Sequence, residues 1–359
     1  MLLTIDLLLS NPQIVKAVID RSVVTATEAN RVHWRDYLDY DQANPDGTFK
    51  TFIGNQTGVV VGTFIDRYSN KPIRKRHSLG SGIGEVACLG DAYQMTNERL
   101  EKLQILIDTY NRTPNASVIN EIVDSLVDDL RQCTLAPHKA FDKMNADLRF
   151  TGTAKVSANA NNEGVTIDDI TIPINIIKAA VGDKNNLVTF IRDKVINALR
   201  PKGCSFDRME MNLNTFQNRI LGSSEFKDKY RLGIKQDQVN PFTLLTPELI
   251  NPVLSVAGIP RIVIREEWIQ TSPDASVNVV PDDKISFVPA GKIGRLMWKR
   301  PYEMVDNVPG KQYTSLEDGK MFIASKRTEE GRFMEYGMEG IVSIEKPTKM
   351  AILDLSDLG

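Results

Sequence analysis

Residues 77–94, HSLGSGIGEVACLGDAYQ, place three alternating glycines, Gly80, Gly82 and Gly84, directly after a basic run. The reading of this stretch decides between a nucleotide-binding α/β chain and a different class of fold. A dinucleotide fingerprint, G-x-G-x-x-G, needs glycine at position 85, and Glu85 stands there. It also needs an apolar strand before it and a helix after it. Here KPIRKRH precedes the glycines and EVACLGD follows them. A Walker-type loop needs Lys and Ser/Thr after its last glycine, and neither is present. With phosphate binding set aside, the glycines read as a hinge, because a residue without Cβ relaxes the φ/ψ limits of the chain.

Upstream, residues 45–77 hold two β-rich runs, 49–53 and 59–65, separated by the turn-prone GNQTG. Their alternation is imperfect, so no half-buried sheet face is specified. A long hairpin patterned in this way would dangle from a monomer, and partner chains could cover it. Its returning leg carries the one dense basic cluster, Lys71, Arg74, Lys75 and Arg76, which reads first as a solvated face and second as a contact for an acidic surface or nucleic acid. Near the start of the chain, Asn11-Pro12 is a helix start, and Ile14, Val15, Val18 and Ile19 form one apolar stripe that needs something to pack against.

Downstream the pattern becomes helical. Thr96 is placed to cap a helix bearing Leu100, Leu103, Ile107 and Tyr110 on one face, and Pro114 ends it. A second helix starts near Ser117 with Val118, Ile122, Leu126 and Leu130; Pro137 is expected to interrupt it before 138–150 resumes. Short strands are expected in 152–157 and 164–174, a helix over 185–200, and a strand running into a helix over 206–221. Thr246, Pro247 and Gly258 bracket a further helix that Pro252 should kink. Strands follow at 259–269, 285–288, 293–298, 320–325, 340–344 and 350–353, with 270–283 a polar loop. The order is mixed α+β rather than a regular βαβ series.

A chain of 359 residues exceeds what a single core of about 250–300 residues sustains, so at least two subdomains are expected. Charged residues at 25% beside 42% hydrophobic ones exclude a disordered chain. A net charge of -2 excludes a whole-molecule basic field of the kind that holds DNA through its phosphates. Cys88, Cys133 and Cys204 are scattered and fit reduced thiols rather than a zinc ribbon or a disulfide framework. His33, His77 and His138 show no metal-ligand spacing and read as surface or interface residues. The acidic pairs Asp168-Asp169, Glu266-Glu267 and Asp282-Asp283 read as solvated turns, because neighbours on a strand face opposite ways. No nucleophile motif is present, no cofactor or metal is expected, and no run of about 18 apolar residues suggests a membrane span.

In this context the chain resembles the tailed-phage major capsid proteins of the Hong Kong 97-type fold, in their lambda-like branch. Residues 129–157 resemble the branch's helix ending in a small-residue turn, Thr151-Gly152, and a strand; 250–269 resemble its axial helix and following strand. Residues 282–298, with Pro289, Gly291 and Gly294, and 337–353 resemble its late strand–turn–strand pieces. The resemblance spans nearly the whole chain and rests on the order of the parts. It implies an N-terminal arm over 1–38, an extended loop over 39–86, a peripheral domain over 87–182 and 299–345, and an axial domain over 183–298 and 346–359. It implies a non-enzymatic shell subunit that assembles with itself into hexamers and pentamers of an icosahedral head around double-stranded DNA, in a virion built in the bacterial cytoplasm. Ile14, Val18, Ile19, Phe49, Phe52, Val60, Phe64 and the basic run 71–76 would then contact neighbouring copies, and Gly80, Gly82 and Gly84 would be the hinge of the loop. A scaffolding protein and a portal are implied partners, with a decoration protein a further candidate. No scaffold-like segment precedes the arm, which implies a separate scaffold or a processed terminus, and no Lys–Asn cross-link pair is identified. An encapsulin-like compartment of the same fold and a soluble enzyme of unrecognised type are the competing expectations.

Overall fold

A computed structural model describes residues 3–10, 31–53, 80–155, 169–226, 245–272 and 275–358. The chain divides into two compact units. One comprises residues 1–49, 84–143 and 296–343; the other comprises 50–83, 144–295 and 344–359.

The first unit is built on helices laid over a sheet. Helix α1 (Ile5–Ser10) is followed by strands β1 (Leu38–Gln42), β2 (Thr48–Ile53), β3 (Gly80–Glu85), β4 (Ala87–Leu89) and β5 (Ala92–Thr96). Helix α2 (Asn97–Arg112) follows, with Thr96 in the extended cap conformation and Glu98 and Arg112 at the ends where the helix dipole favours them. Its Leu100, Leu103 and Ile107 are buried together with Ile122, Leu126, Leu130 and Cys133 of the long helix α3 (Ala116–Thr151). At 36 residues α3 is about 54 Å long. The interruption expected at Pro137 does not occur. Proline removes one backbone hydrogen bond at a cost of about 3 kcal/mol, but Cys133, His138 and Phe141 are all buried around it. Packing on both sides of the proline outweighs the lost bond.

The covering sheet has seven strands, in the order β1, β14 (Gly294–Lys299), β17 (Gly331–Ile344), β16 (Met321–Thr328), β15 (Lys311–Leu316), with β4 and β5 also paired to β17. In β17, Met334, Tyr336 and Met338 alternate inward at the period of two that a sheet face demands.

The second unit carries a five-stranded sheet ordered β10 (Arg261–Ile264), β9 (Arg208–Met211), β13 (Lys284–Val288), β18 (Ala351–Asp354), β8 (Asn175–Lys178). One face, with Met209, Met211, Ile285, Phe287 and Leu353, packs on three helical stretches. These are residues 187–197, residues 213–220 and helix α4 (Pro247–Val256), contributing Leu187, Val195, Phe216, Ile220, Ile250 and Leu254. Gly258 ends α4 in the left-handed conformation, as its place just past the helix leads one to expect. Residues 270–283, expected as a loop, instead contribute to a hairpin of β11 (Trp268–Ser272) and β12 (Ala275–Asn278). A two-stranded ribbon of β6 (Thr153–Ala154) and β7 (Ile170–Thr171) follows the end of α3.

Candidate assembly surfaces and the clusters that support them

Both legs of the expected extended loop begin on described residues. Strand β2 pairs with β3. Asp46 turns the chain into β2 by accepting from the Thr48 backbone N–H at 2.9 Å and its hydroxyl at 2.7 Å, and Val86 N–H donates to the Gly47 carbonyl. Gly80, Gly82 and Gly84 therefore lie in a paired strand. At Gly84 the absence of a side chain has a specific use: a Cβ there would stand 2.5 Å from the Phe49 ring. Phe49 is buried against its own chain, its ring beside Gly84. Phe52 shares the strand with it. Ile14, Val18, Ile19, Val60, Phe64, Lys71, Arg74, Lys75, Arg76 and His77 lie outside the described residues.

The segment leading into the loop is held by a carboxylate clamp. Glu317, in the turn between β15 and β16, accepts hydrogen bonds from the Arg35 guanidinium and the Tyr40 hydroxyl. The buried His138 imidazole of α3 stands 3.1 Å from the same carboxylate. One turn along α3, Asp142 accepts from the backbone N–H groups of His33 at 2.8 Å and Trp34 at 2.7 Å. The Trp34 ring fills the space between, 5.0 Å from Tyr40, 5.9 Å from His138 and 6.4 Å from Phe141. His33 and His138, expected at the surface or at an interface, are both buried within this unit: the His138 ring lies against Trp34 and the Glu317 carboxylate, and the His33 backbone is held by Asp142, contacts that spacing along the sequence does not show.

Burial pushes the Glu317 carboxyl up, but His138, Tyr40 and Arg35 outweigh it and bring it down to about 2. Its unfolded value lies near 4.5. A group depressed on folding stabilises the native state above its unfolded value and loses that contribution as the pH falls through its folded one. Urea unfolding is therefore expected to show about 3 kcal/mol of stability disappearing between pH 4.5 and 2 in the wild type and not in Glu317→Gln. Parallel pH profiles for the two proteins would remove the clamp from the account.

In the second unit, Glu210 sits between the core-facing Met209 and Met211 and so projects from the opposite sheet face. There Arg149, near the end of α3, bonds Glu210 at 2.6 Å and both oxygens of Glu267 at 2.9 Å, and all three side chains are fully buried. Arg208 adds a bond to Glu210 at 2.7 Å, and Arg265 stands 3.6 Å away. Burial works to raise the Glu210 carboxyl, but these three arginines hold it below the usual range. Glu267 is thus no member of a solvated turn. Asp282 and Asp283 do lie in an open turn, as expected; within it Asp283 adopts a left-handed backbone and takes both bonds of the Arg219 guanidinium. Asp282 accepts from Asn212, and Asp168 lies outside the described residues. The residues adjoining these acids pointed to turns; the arginines that engage them come from distant parts of the chain.

Large apolar side chains stand in solvent on both units. Ile105, Tyr302 and Val305 do so on the first and Ile176, Val181, Trp268 and Val277 on the second, with Val256 as much as 90% exposed. Among the described residues no group of three or more His, Cys, Asp or Glu could hold a metal ion, and no helix is long and apolar enough to cross a membrane. Cys88 is exposed, and Cys133 and Cys204 are buried.

No family model matches the chain, and no curated protein matches its sequence. The path of the backbone does have solved counterparts. A protein described as a prophage capsid protein, from E. coli CFT073, matches 96% of this chain and 99% of its own at a TM-score of 0.54 and 9% identity. The capsid protein of cyanophage A-1(L) matches 93% of this chain and 95% of its own at 0.50 and 10%. A phage-related protein from Bordetella bronchiseptica RB50 matches 96% and 98% at 0.50 and 9%. The fold is the Hong Kong 97-type phage capsid fold. At such identities a capsid fold is shared through burial pattern and chain path rather than through side chains.

Proposed function

We propose that the chain is the major capsid subunit of a tailed phage, assembling into rings of six and five that close an icosahedral head around double-stranded DNA. The carrying observation is the capsid fold over 93–96% of the chain. Exposed apolar side chains on both units, Tyr302 and Trp268 among them, are available for such contacts. Rings of identical subunits are heterologous contacts that close when the rotation closes, and mixing two ring sizes supplies curvature. A chain of net charge -2 suits a wall that lies against DNA without gripping its sequence. We assign residues 71–76 to contacts with neighbouring copies and 80–85 to the returning leg of a loop whose path changes as the shell matures. A scaffolding protein and a portal would guide closure, and the site of action is the virion.

Negative-stain electron microscopy with light scattering, on the chain alone and co-expressed with scaffold and portal, tests the reading. Closed shells, tubes or free rings of six and five are expected. A strictly monomeric chain under both conditions would overturn it.

A further inference from the structure

We propose that Glu317 is a positioning latch, which couples the conformation of its own turn to the seating of residues 31–42 at the entry to the extended loop. The inference rests on the capsid reading for its purpose, but its chemistry is internal to one unit.

The turn between β15 and β16 closes at the pair Leu316–Met321, leaving residues 317–320 as the connection. Three successive residues in it are left-handed: Glu317 at φ 49°, Asp318 at 57° and Gly319 at 88°. Glycine adopts this region freely, whereas a side chain there meets the following carbonyl. A glutamate at the first position is therefore locally disfavoured, and within the turn Lys320 engages its carbonyl rather than its carboxylate. What rewards it comes from outside: Arg35 and Tyr40 from the entry segment and His138 from α3 converge on its carboxylate. Lys320 reinforces the same grip. Its ammonium bonds the Glu317 carbonyl at 2.9 Å and lies 5.0 Å above the Tyr40 ring and 5.1 Å above the Trp298 ring.

The entry segment depends on this arrangement in return. Residues 31–37 make a short 3-10 turn with Trp34 and Tyr37 buried, and among the bonds that tie it to the rest of the unit are those of Asp142, of Lys139 donating to the Arg31 carbonyl, and of the Glu317 clamp. Arg35 and Tyr40 thus tie the seating of this segment to the conformation of the Glu317 turn, so that a change in either biases the other. A latch of this kind would let the foot of the loop stay fixed in the free subunit and be released as one event when a shell rearranges.

Hydrogen–deuterium exchange of the unassembled full chain at pH 7 reads this directly. In Glu317→Ala, exchange is expected to rise at least tenfold in peptides covering both 31–42 and 315–321, with β9 and β13 of the second unit unchanged. Tyr40→Phe leaves the turn's own sequence intact and is the decisive variant. It should raise exchange across 315–321 severalfold, an effect that a merely local role for Tyr40 would not produce. Unchanged protection of 315–321 in Tyr40→Phe, or of 31–42 in Glu317→Ala, would overturn the latch. Because the readout is taken on the free subunit, it stands or falls independently of whether the chain forms shells.

Discussion

Arg149→Met is expected to lower the unfolding free energy by about 3–5 kcal/mol at neutral pH, the cost of breaking a buried ion pair from one side. Methionine matches much of the arginine stem in volume, so the loss comes from charge rather than from a cavity. The substitution takes one partner from the fully buried Glu210 and strands the fully buried Glu267. Glu210 keeps Arg208. Glu267 loses the bidentate bond that Arg149 gave it and must protonate or tear the site open. A stranded carboxyl has its folded value raised, so it destabilises most above that value and less below it. The deficit against wild type should accordingly shrink as the pH is lowered from 7 towards 5, as read from urea midpoints by circular dichroism. A deficit under about 1 kcal/mol, or one that grows with acid, would mean that the cluster is wet. With domains only marginally stable in absolute terms, the expected loss also predicts little soluble subunit at 37 °C.

The second large effect concerns the other unit. Trp34→Ala should cost about 3–5 kcal/mol, the usual range for truncating a buried aromatic. The ring is 1% exposed and meets Tyr40, His138 and Phe141 at 5.0–6.4 Å, with the Arg35 guanidinium 5.5 Å from its centroid. Its removal opens a cavity between the entry segment and α3. It also frees Arg35 and Tyr40 to drift from Glu317. Thermal unfolding should report the loss, and limited proteolysis of the folded protein should show a new cleavage within 31–42. Trp34→Phe keeps an aromatic plane in the pocket and should recover most of the stability. Equal melting of the alanine variant and the wild type would show that the pocket collapses without cost.

Much of the helical architecture was legible because it rests on short-range pattern. Leu100, Leu103 and Ile107 repeat at the spacing of one helix face and are buried together. Thr96, Thr246 with Pro247, and Gly258 mark ends that local backbone chemistry fixes. Strands rich in apolar residues, such as 285–288 and 350–353, were equally readable. Less so were β15 and the first half of β17, which were not among the expected strands. A signal for the latter was present in the alternation of Met334, Tyr336 and Met338, but the residues between them are too polar for a hydrophobic run. Pro137 misled because the penalty is local and the compensation is tertiary.

The sequence by itself determined the class of the protein: an α+β chain in which no spacing of residues builds a catalytic, phosphate-binding or metal-binding motif. Composition, helix faces and caps suffice for that, since each is set within a few residues along the chain. The tertiary structure alone decided what Glu317, Arg149, Glu267, His33 and His138 do. Glu317 meets Arg35 and Tyr40 across more than 270 positions, and Arg149 meets Glu267 across 118. Whether a carboxylate is a solvated turn residue or a buried clamp depends on which charges the fold brings within about 3 Å and on how much water it removes. Neither quantity is a property of the local sequence.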